Sequence, residues 1–426
     1  MKGVRTLYRM FMLASTAHAR WDYETSMNII RDKRRLCILG LMLLPILLVS
    51  VAYAADLPAV LGGKKAYSPA YYSTFIFLVS ILIGMCAGLI TGCIGAGGGF
   101  IITPALMSAG IKGILAVGTD LFHIFAKAIM GTAVHRKLGN VSVALAVAFL
   151  VGSGVGVTVG GSINRALYES NPVLSDTFIS IVYVVLLGFL GLYALIDFLR
   201  LRKASGDVWV HVGESPHGAE AASGKKGMPA RLQSSKIPPL ITFDEDLFPG
   251  GKKIPALFVA VCGAIVGLAA AIMGVGGGFL TFPMFVYVLG VSSFTTVGTD
   301  ILQIIFTAGY AAIAQYAIYG FIFYTLAMGM LLGSLIGVQI GAMTTKVVKG
   351  IHIWGFYAVA ILSGFVNRFF ALPEKLKQME TIDWPDPVVK FLSDLGTWAF
   401  FVVISIFAIW VLAKFVTNLK SLRGEV

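Results

Sequence analysis

Charge is scarce in this chain. Asp, Glu, Lys and Arg together make up 13% of its 426 residues, about half of the roughly 25% found in a soluble globular domain. That shortfall excludes an ordinary water-soluble fold before any motif is read. Cysteine is scarce as well. Cys37, Cys86, Cys93 and Cys262 all sit in apolar stretches with no CxxC among them, so neither a disulfide framework nor a zinc site is expected, and the thiols read as small apolar fillers. Enzymatic signatures are also missing: no HExxH, no nucleophile elbow with its His and Asp, and no acidic cluster to hold a metal. A GxGxxG dinucleotide fingerprint would need glycine where Phe100 and Phe279 stand, with a strand before it. No enzyme, metal or cofactor is expected.

What is abundant is apolar surface, at 57% of residues. A membrane-spanning helix needs roughly 20 apolar residues, and long apolar segments fall at about 73–94, 113–136, 141–164 and 175–200, then at 254–275, 293–318, 321–345, 351–370 and 396–416. Two further pieces, 99–110 and 278–290, are too short to span. The expected fold is an all-α polytopic membrane protein in a lipid bilayer. The net charge of +12 sits in short segments flanking the apolar runs, as in cytoplasmic loops, and not in a nucleic-acid-binding patch.

The outer segments divide as follows. Residues 1–55 form an N-terminal extension in which Arg31–Arg35 precede an apolar run and an Ala-x-Ala pattern ending at Ala54. This reads either as a signal peptide, with translation starting at Met27, or as an uncleaved anchor helix. Residues 201–253, rich in Gly, Ser, Pro, Lys and Glu, read as a flexible cytoplasmic linker. Residues 373–395, with Trp384-Pro385-Asp386-Pro387, read as a surface insert, and 396–426 as an extra C-terminal transmembrane helix with a cytoplasmic tail.

Between these lie two copies of one pattern, 73–200 and 254–370. Gly95-Ala-Gly-Gly-Gly-Phe100 matches Gly274-Val-Gly-Gly-Gly-Phe279, and Pro104 matches Pro283, at an offset of 179. Gly118-Thr-Asp120 matches Gly298-Thr-Asp300, and Gly152, Gly156 and Gly160 match Gly333, Gly337 and Gly341 at an offset of 181. His135, Arg136 and Lys137 place the end of the second long segment inside, whereas its counterpart around Ala317–Gly320 carries no basic residue. Lys346 and Lys349, Arg200 to Lys203, and Lys414 to Arg423 give the other inside loops. Lys64 and Lys65 alone run against this scheme. The halves are therefore expected to be inverted-topology repeats with glycine-broken helices and a site near the midplane, in the inner cell membrane with the C-terminus cytoplasmic.

Several residues could carry chemistry. Gly97, Gly98 and Gly99, with Phe100, and Gly276, Gly277 and Gly278, with Phe279, mark helix breaks. Each break is followed by a short helix whose N-terminal N–H groups suit an anion; the alternative is close packing through small residues. Thr103 and Thr281 could assist with their hydroxyls. Asp120, His123 and Lys127 share one helix face, as do Asp300, Gln303 and Thr307. The aspartates are either helix-start caps or pathway residues. His123 is a candidate proton carrier or a satisfied hydrogen-bonding group. Lys127 either supplies charge for a small anion or snorkels.

The paired Gly-x-Gly-Gly-Gly-Phe…Pro…Gly-Thr-Asp blocks at 95–120 and 274–300 resemble the sulfite exporter family TauE/SafE, anion permeases of bacteria, archaea and plants. The resemblance covers roughly 73–370 and implies a permease for sulfite, organosulfonates such as sulfoacetate, or related anions. The linker, the N-terminal extension and the last helix depart from it. A secondary transporter working by alternating access is the leading expectation; an anion channel and a membrane-embedded enzyme are its rivals. Oligomeric state is not readable.

Overall fold

The computed structural model describes residues 74–94, 98–137, 142–204, 228–235, 237–244, 251–345, 347–348 and 350–418. They belong to one compact unit, Leu57–Val426; the other unit, Met1–Asp56, holds the N-terminal extension and lies outside the described residues.

The first half runs α1 (Thr74–Ile94), α2 (Gly99–Ser108), α3 (Gly113–Lys137), α4 (Val143–Ser170) and α5 (Pro172–Ala204). After the linker helix α6 (Met228–Ser234) come strands β1 (Leu240–Phe243) and β2 (Lys252–Pro255). The second half runs α7 (Ala256–Met273), α8 (Gly278–Pro283, continued as a π-helical turn through Leu289), α9 (Ser293–Tyr310, continued likewise through Ala317), α10 (Tyr324–Thr344) and α11 (Gly350–Gln378), followed by α12 (Asp386–Thr417). Among the described residues, six helices are long and apolar enough to cross a membrane: α4, α5, α7, α10, α11 and α12. The helices follow from composition. In hydrocarbon each N–H and C=O must be satisfied within the segment, which runs of Leu, Ile, Val, Ala and Phe can do only by coiling. Polar caps set some of the starts: the Leu145 and Thr295 N–H groups donate to the hydroxyls of Ser142 and Ser292.

Packing pairs the halves in a reciprocal way. The first helix of each half lies against the fourth helix of the other, α1 on α10 and α7 on α4. Glycine permits the approach: a Cβ on Gly88 would lie 2.7 Å from Ser334 Cα, and one on Gly267 2.7 Å from Ser153 Cα. Both pairs run parallel, with Gly84, Gly88 and Gly92 facing Met330, Ser334 and Val338, and Gly152, Gly156 and Gly160 facing Ala260, Ala264 and Leu268. By contrast, equivalent helices that touch each other run antiparallel. Gly118 meets Tyr316 and Gly309 meets Phe125 where α3 crosses α9. Along α5 and α11, Gly188 meets Phe365, Gly191 meets Leu362 and Gly355 meets Phe198.

Two sequence expectations change. The later part of the 201–253 linker is folded, not flexible. β1 and β2 pair antiparallel, with Ile241 opposite Ile254, and Phe243 is buried. Asp244 accepts from both the N–H and the hydroxyl of Ser292 at the start of α9. Gln233 and Lys252 donate to the Leu289 and Gly290 carbonyls at the end of the π-helical turn. These anchors are single polar side chains at scattered positions, which no periodicity reveals. The 373–395 insert is mostly helix as well, because α11 continues to Gln378 and α12 starts at Asp386. Pro385 caps α12 and Pro387 lies in its first turn, where a missing N–H costs nothing.

Candidate functional site

The two breaks meet each other. Gly98 (φ 69°) and Gly277 (φ 89°) sit immediately before α2 and α8 in the left-handed region, which a side chain disfavours. A Cβ on Gly99 would lie 2.8 Å from Val275 Cα, and one on Gly276 would lie 2.7 Å from Ile124 Cγ2. Gly274 closes against Thr103 Oγ1 and Val117 Cα, 2.8 Å each from its notional Cβ. Phe100 and Phe279 follow their breaks with ring centroids 6.1 Å apart. Gly97 lies outside the described residues.

Breaking α7 frees its last carbonyls, and its own C-cap N–H together with side chains from both halves take them up. Ala270 O accepts from Gly274 N, and Ala271 O from the Tyr316 hydroxyl. Ile272 O accepts from Asn164 Nδ2, and Met273 O from the Tyr183 hydroxyl. The donor ends differ. Ile101 N–H turns back to Gly98 O, and Leu280 and Thr281 N–H to Gly277 O. Among the described residues, the Gly99, Phe100, Gly278 and Phe279 N–H groups have no acceptor. The carbonyl end is thus sealed while the N–H ends face the junction, an arrangement that favours an anion over a cation.

Two buried polar chains flank the junction. In the first half, Thr103 donates to Asp120 Oδ2 at 3.1 Å, and Asp120 Oδ1 stands 3.7 Å from His123 Nδ1. His123 Nε2 lies 2.9 Å from Ser334 Oγ, and Lys127 Nζ donates to Thr91 Oγ1 at 3.3 Å. In the second half, Gln303 Nε2 donates to Asp300 Oδ1 at 2.8 Å and to Thr281 Oγ1 at 3.2 Å. Thr307 donates to Gln303 Oε1 and is paired with Ser153. A Cβ on Gly278 would sit 3.3 Å from Asp300 Oδ2, so the carboxylate borders the start of α8. The helix-start role expected of Asp120 and Asp300 does not hold. α3 begins at Gly113 and α9 at Ser293, about two turns upstream, because the apolar residues before each Gly-Thr-Asp are already helical. The neighbouring threonines cap instead, each across the halves: Thr119 accepts Phe323 N–H at 2.9 Å, and Thr299 accepts Ser142 N–H at 3.0 Å.

The expected residues therefore converge, apart from Gly97. Sequence reasoning missed Tyr183, Asn164 and Tyr316, and the roles of Ser153 and Ser334. The two serines stand beside matched glycines of the repeat, and that is the one signal that could have marked them.

Long apolar helices with broken, polar-lined interiors define a multi-pass α-helical membrane protein of the transporter class. The chain belongs to the TauE/SafE sulfite exporter family, whose model matches residues 80–366. It is 27% identical over 265 residues to a probable membrane transporter protein, YjnA, of Bacillus subtilis, covering 62% of this chain and 87% of that one. It is 23% identical over 282 residues to the probable membrane transporter protein YunE of the same organism, covering 63% and 89%. A probable membrane transporter protein of Xylella fastidiosa is 22% identical over 303 residues, covering 69% and 96%. No solved structure matches the chain significantly.

Proposed function

We propose that this transporter is a secondary carrier that exports small sulfur-containing anions, such as sulfite or organosulfonates, by alternating access from the inner cell membrane. The observation that carries the reading is the junction of the two breaks, where the N–H groups of Gly99, Phe100, Gly278 and Phe279, which have no acceptor among the described residues, converge. The halves act as inverted repeats. This is supported by the antiparallel crossing of α3 with α9 and of α5 with α11, and by the opposite basic loops, which place the C-terminus in the cytoplasm.

An anion held at Gly277–Phe279 would stand against the Asp300 carboxylate. Like charges at that distance repel strongly in a dry interior, and a proton taken up with the anion removes the repulsion. Proton coupling through Asp120, His123 and Asp300 follows, with Lys127 and Gln303 supporting the two ends. Outward movement also gains about 2.3 kcal/mol per 100 mV of inside-negative potential for each net negative charge left once the accompanying proton is counted.

The test is radiolabelled sulfite flux in proteoliposomes, with sulfate, sulfoacetate, taurine and small carboxylates as competitors. Saturable flux that accelerates with counter-substrate marks a carrier; an ohmic current without counterflow would mean a channel, and absence of sulfite flux would move the substrate class.

A further inference from the structure

Arg368 lies on α11, is 3% exposed, and is absent from the residues singled out by sequence. Its Nε donates to Asn367 Oδ1 at 2.7 Å, and its Nη2 to Ser108 Oγ at 2.7 Å and Pro104 O at 3.4 Å. Nη1, which carries two of the five guanidinium donors, has no partner among the described residues. No carboxylate among them lies within ion-pair distance of Arg368. The neighbouring Asp176 is engaged by Gly113 N–H and Lys375. Asp176 acts on the guanidinium only from beyond ion-pair distance, and the C-terminal end of α2 adds the partial negative charge of a helix terminus. The buried cation thus has no direct counter-ion among the described residues, which is costly at membrane depth.

The position also connects to the junction. α11 borders α2 along its length: Tyr357 packs edge-on against Phe100, a Cβ on Gly364 would lie 3.6 Å from Phe100 O, and Arg368 reaches Ser108. From Phe100 to Ser108 is about 12 Å of helix. We propose that Arg368 is an anion contact on the transport route, presenting Nη1 to an oxyanion at the end of α2 opposite the glycine break. The inference rests on the anion-carrier reading and adds a second station to it.

The test compares saturable sulfite uptake by wild type, Arg368→Gln and Arg368→Lys in proteoliposomes, normalised to inserted protein, with thermal midpoints measured alongside. Arg368→Gln keeps a donor for Ser108 and removes the charge. Loss of a charge-assisted hydrogen bond is expected to raise the apparent KM about tenfold or more, with Arg368→Lys in between. An unchanged KM, whether or not the midpoint falls, overturns the proposal and leaves Arg368 as a clamp on α2. Should Arg368→Gln fail to fold, Arg368→Lys is judged by the same KM criterion. Absence of saturable wild-type flux overturns the carrier reading and this inference with it, whereas wild-type flux with unaltered variants overturns the inference alone.

Discussion

Asp120 Oδ1 and His123 Nδ1 face each other across 3.7 Å, each without a hydrogen-bond partner and both shut off from solvent. The Ser334 hydroxyl is placed to donate to Leu331 O; in the tautomer that matches this, Nε2 donates to Ser334 and Nδ1 is an acceptor aimed at an acceptor. A single proton between them would resolve the conflict.

Asp120→Asn supplies that hydrogen permanently. The variant is expected to fold with an unchanged or higher thermal midpoint, while its sulfite flux no longer responds to pH. A wild-type pH profile retained in Asp120→Asn would show that the pair does not carry the coupling proton.

Valine at Gly98 or Gly277 meets two obstacles. The left-handed backbone costs a side chain about 1–2 kcal/mol, and the added Cβ would lie 2.6 Å from Thr91 Oγ1 or 2.8 Å from Val266 Cγ1. Flux is expected to fall below detection in both variants, with protein still recovered from the membrane. Normal flux in either would remove that break from the site.

Gly152 and Gly154 lie two residues apart in α4 but differ in surroundings. A side chain at Gly152 would run into the Ala260 backbone of α7, whereas Gly154 has nothing within 4 Å. Gly154→Leu is expected to leave the thermal midpoint within a degree or two. Gly152→Leu should lose at least the 1–3 kcal/mol typical of overpacking, read as a lowered midpoint or poor recovery. Equal tolerance would contradict the packing of α4 on α7.

Asp244 secures the start of α9 from the linker. Asp244→Ala removes two hydrogen bonds to Ser292 and is expected to cost about 1 kcal/mol, as a lost helix cap does. Equilibrium unfolding in detergent checks this; an unaltered midpoint would make the hairpin incidental.

Helix existence was legible from hydropathy alone, since runs such as 143–170 and 256–273 carry few or no ionisable residues. The matched glycines marked both breaks and both packing stripes. Their partners were not legible: Gly88 approaching Ser334 is a contact between segments far apart in the chain, and one sequence carries no signal for it. Asp120 and Asp300 misled because Gly-Thr-Asp looks like a helix start, yet the apolar residues upstream propagate the helix past it. Arg368 escaped notice because an arginine near the end of an apolar run resembles an interfacial anchor, and only its burial sets it apart.

The reciprocal pairing of helices bears on how the chain is made. Gly84 of α1 packs on Met330 of α10, 246 residues later in synthesis. During that interval the glycine face of α1 has only lipid beside it, and α4 likewise awaits α7. Neither half is a finished product when it leaves the translocon. Expressed separately, the halves should be degraded; expressed together as two polypeptides divided within 205–227, they should assemble and survive.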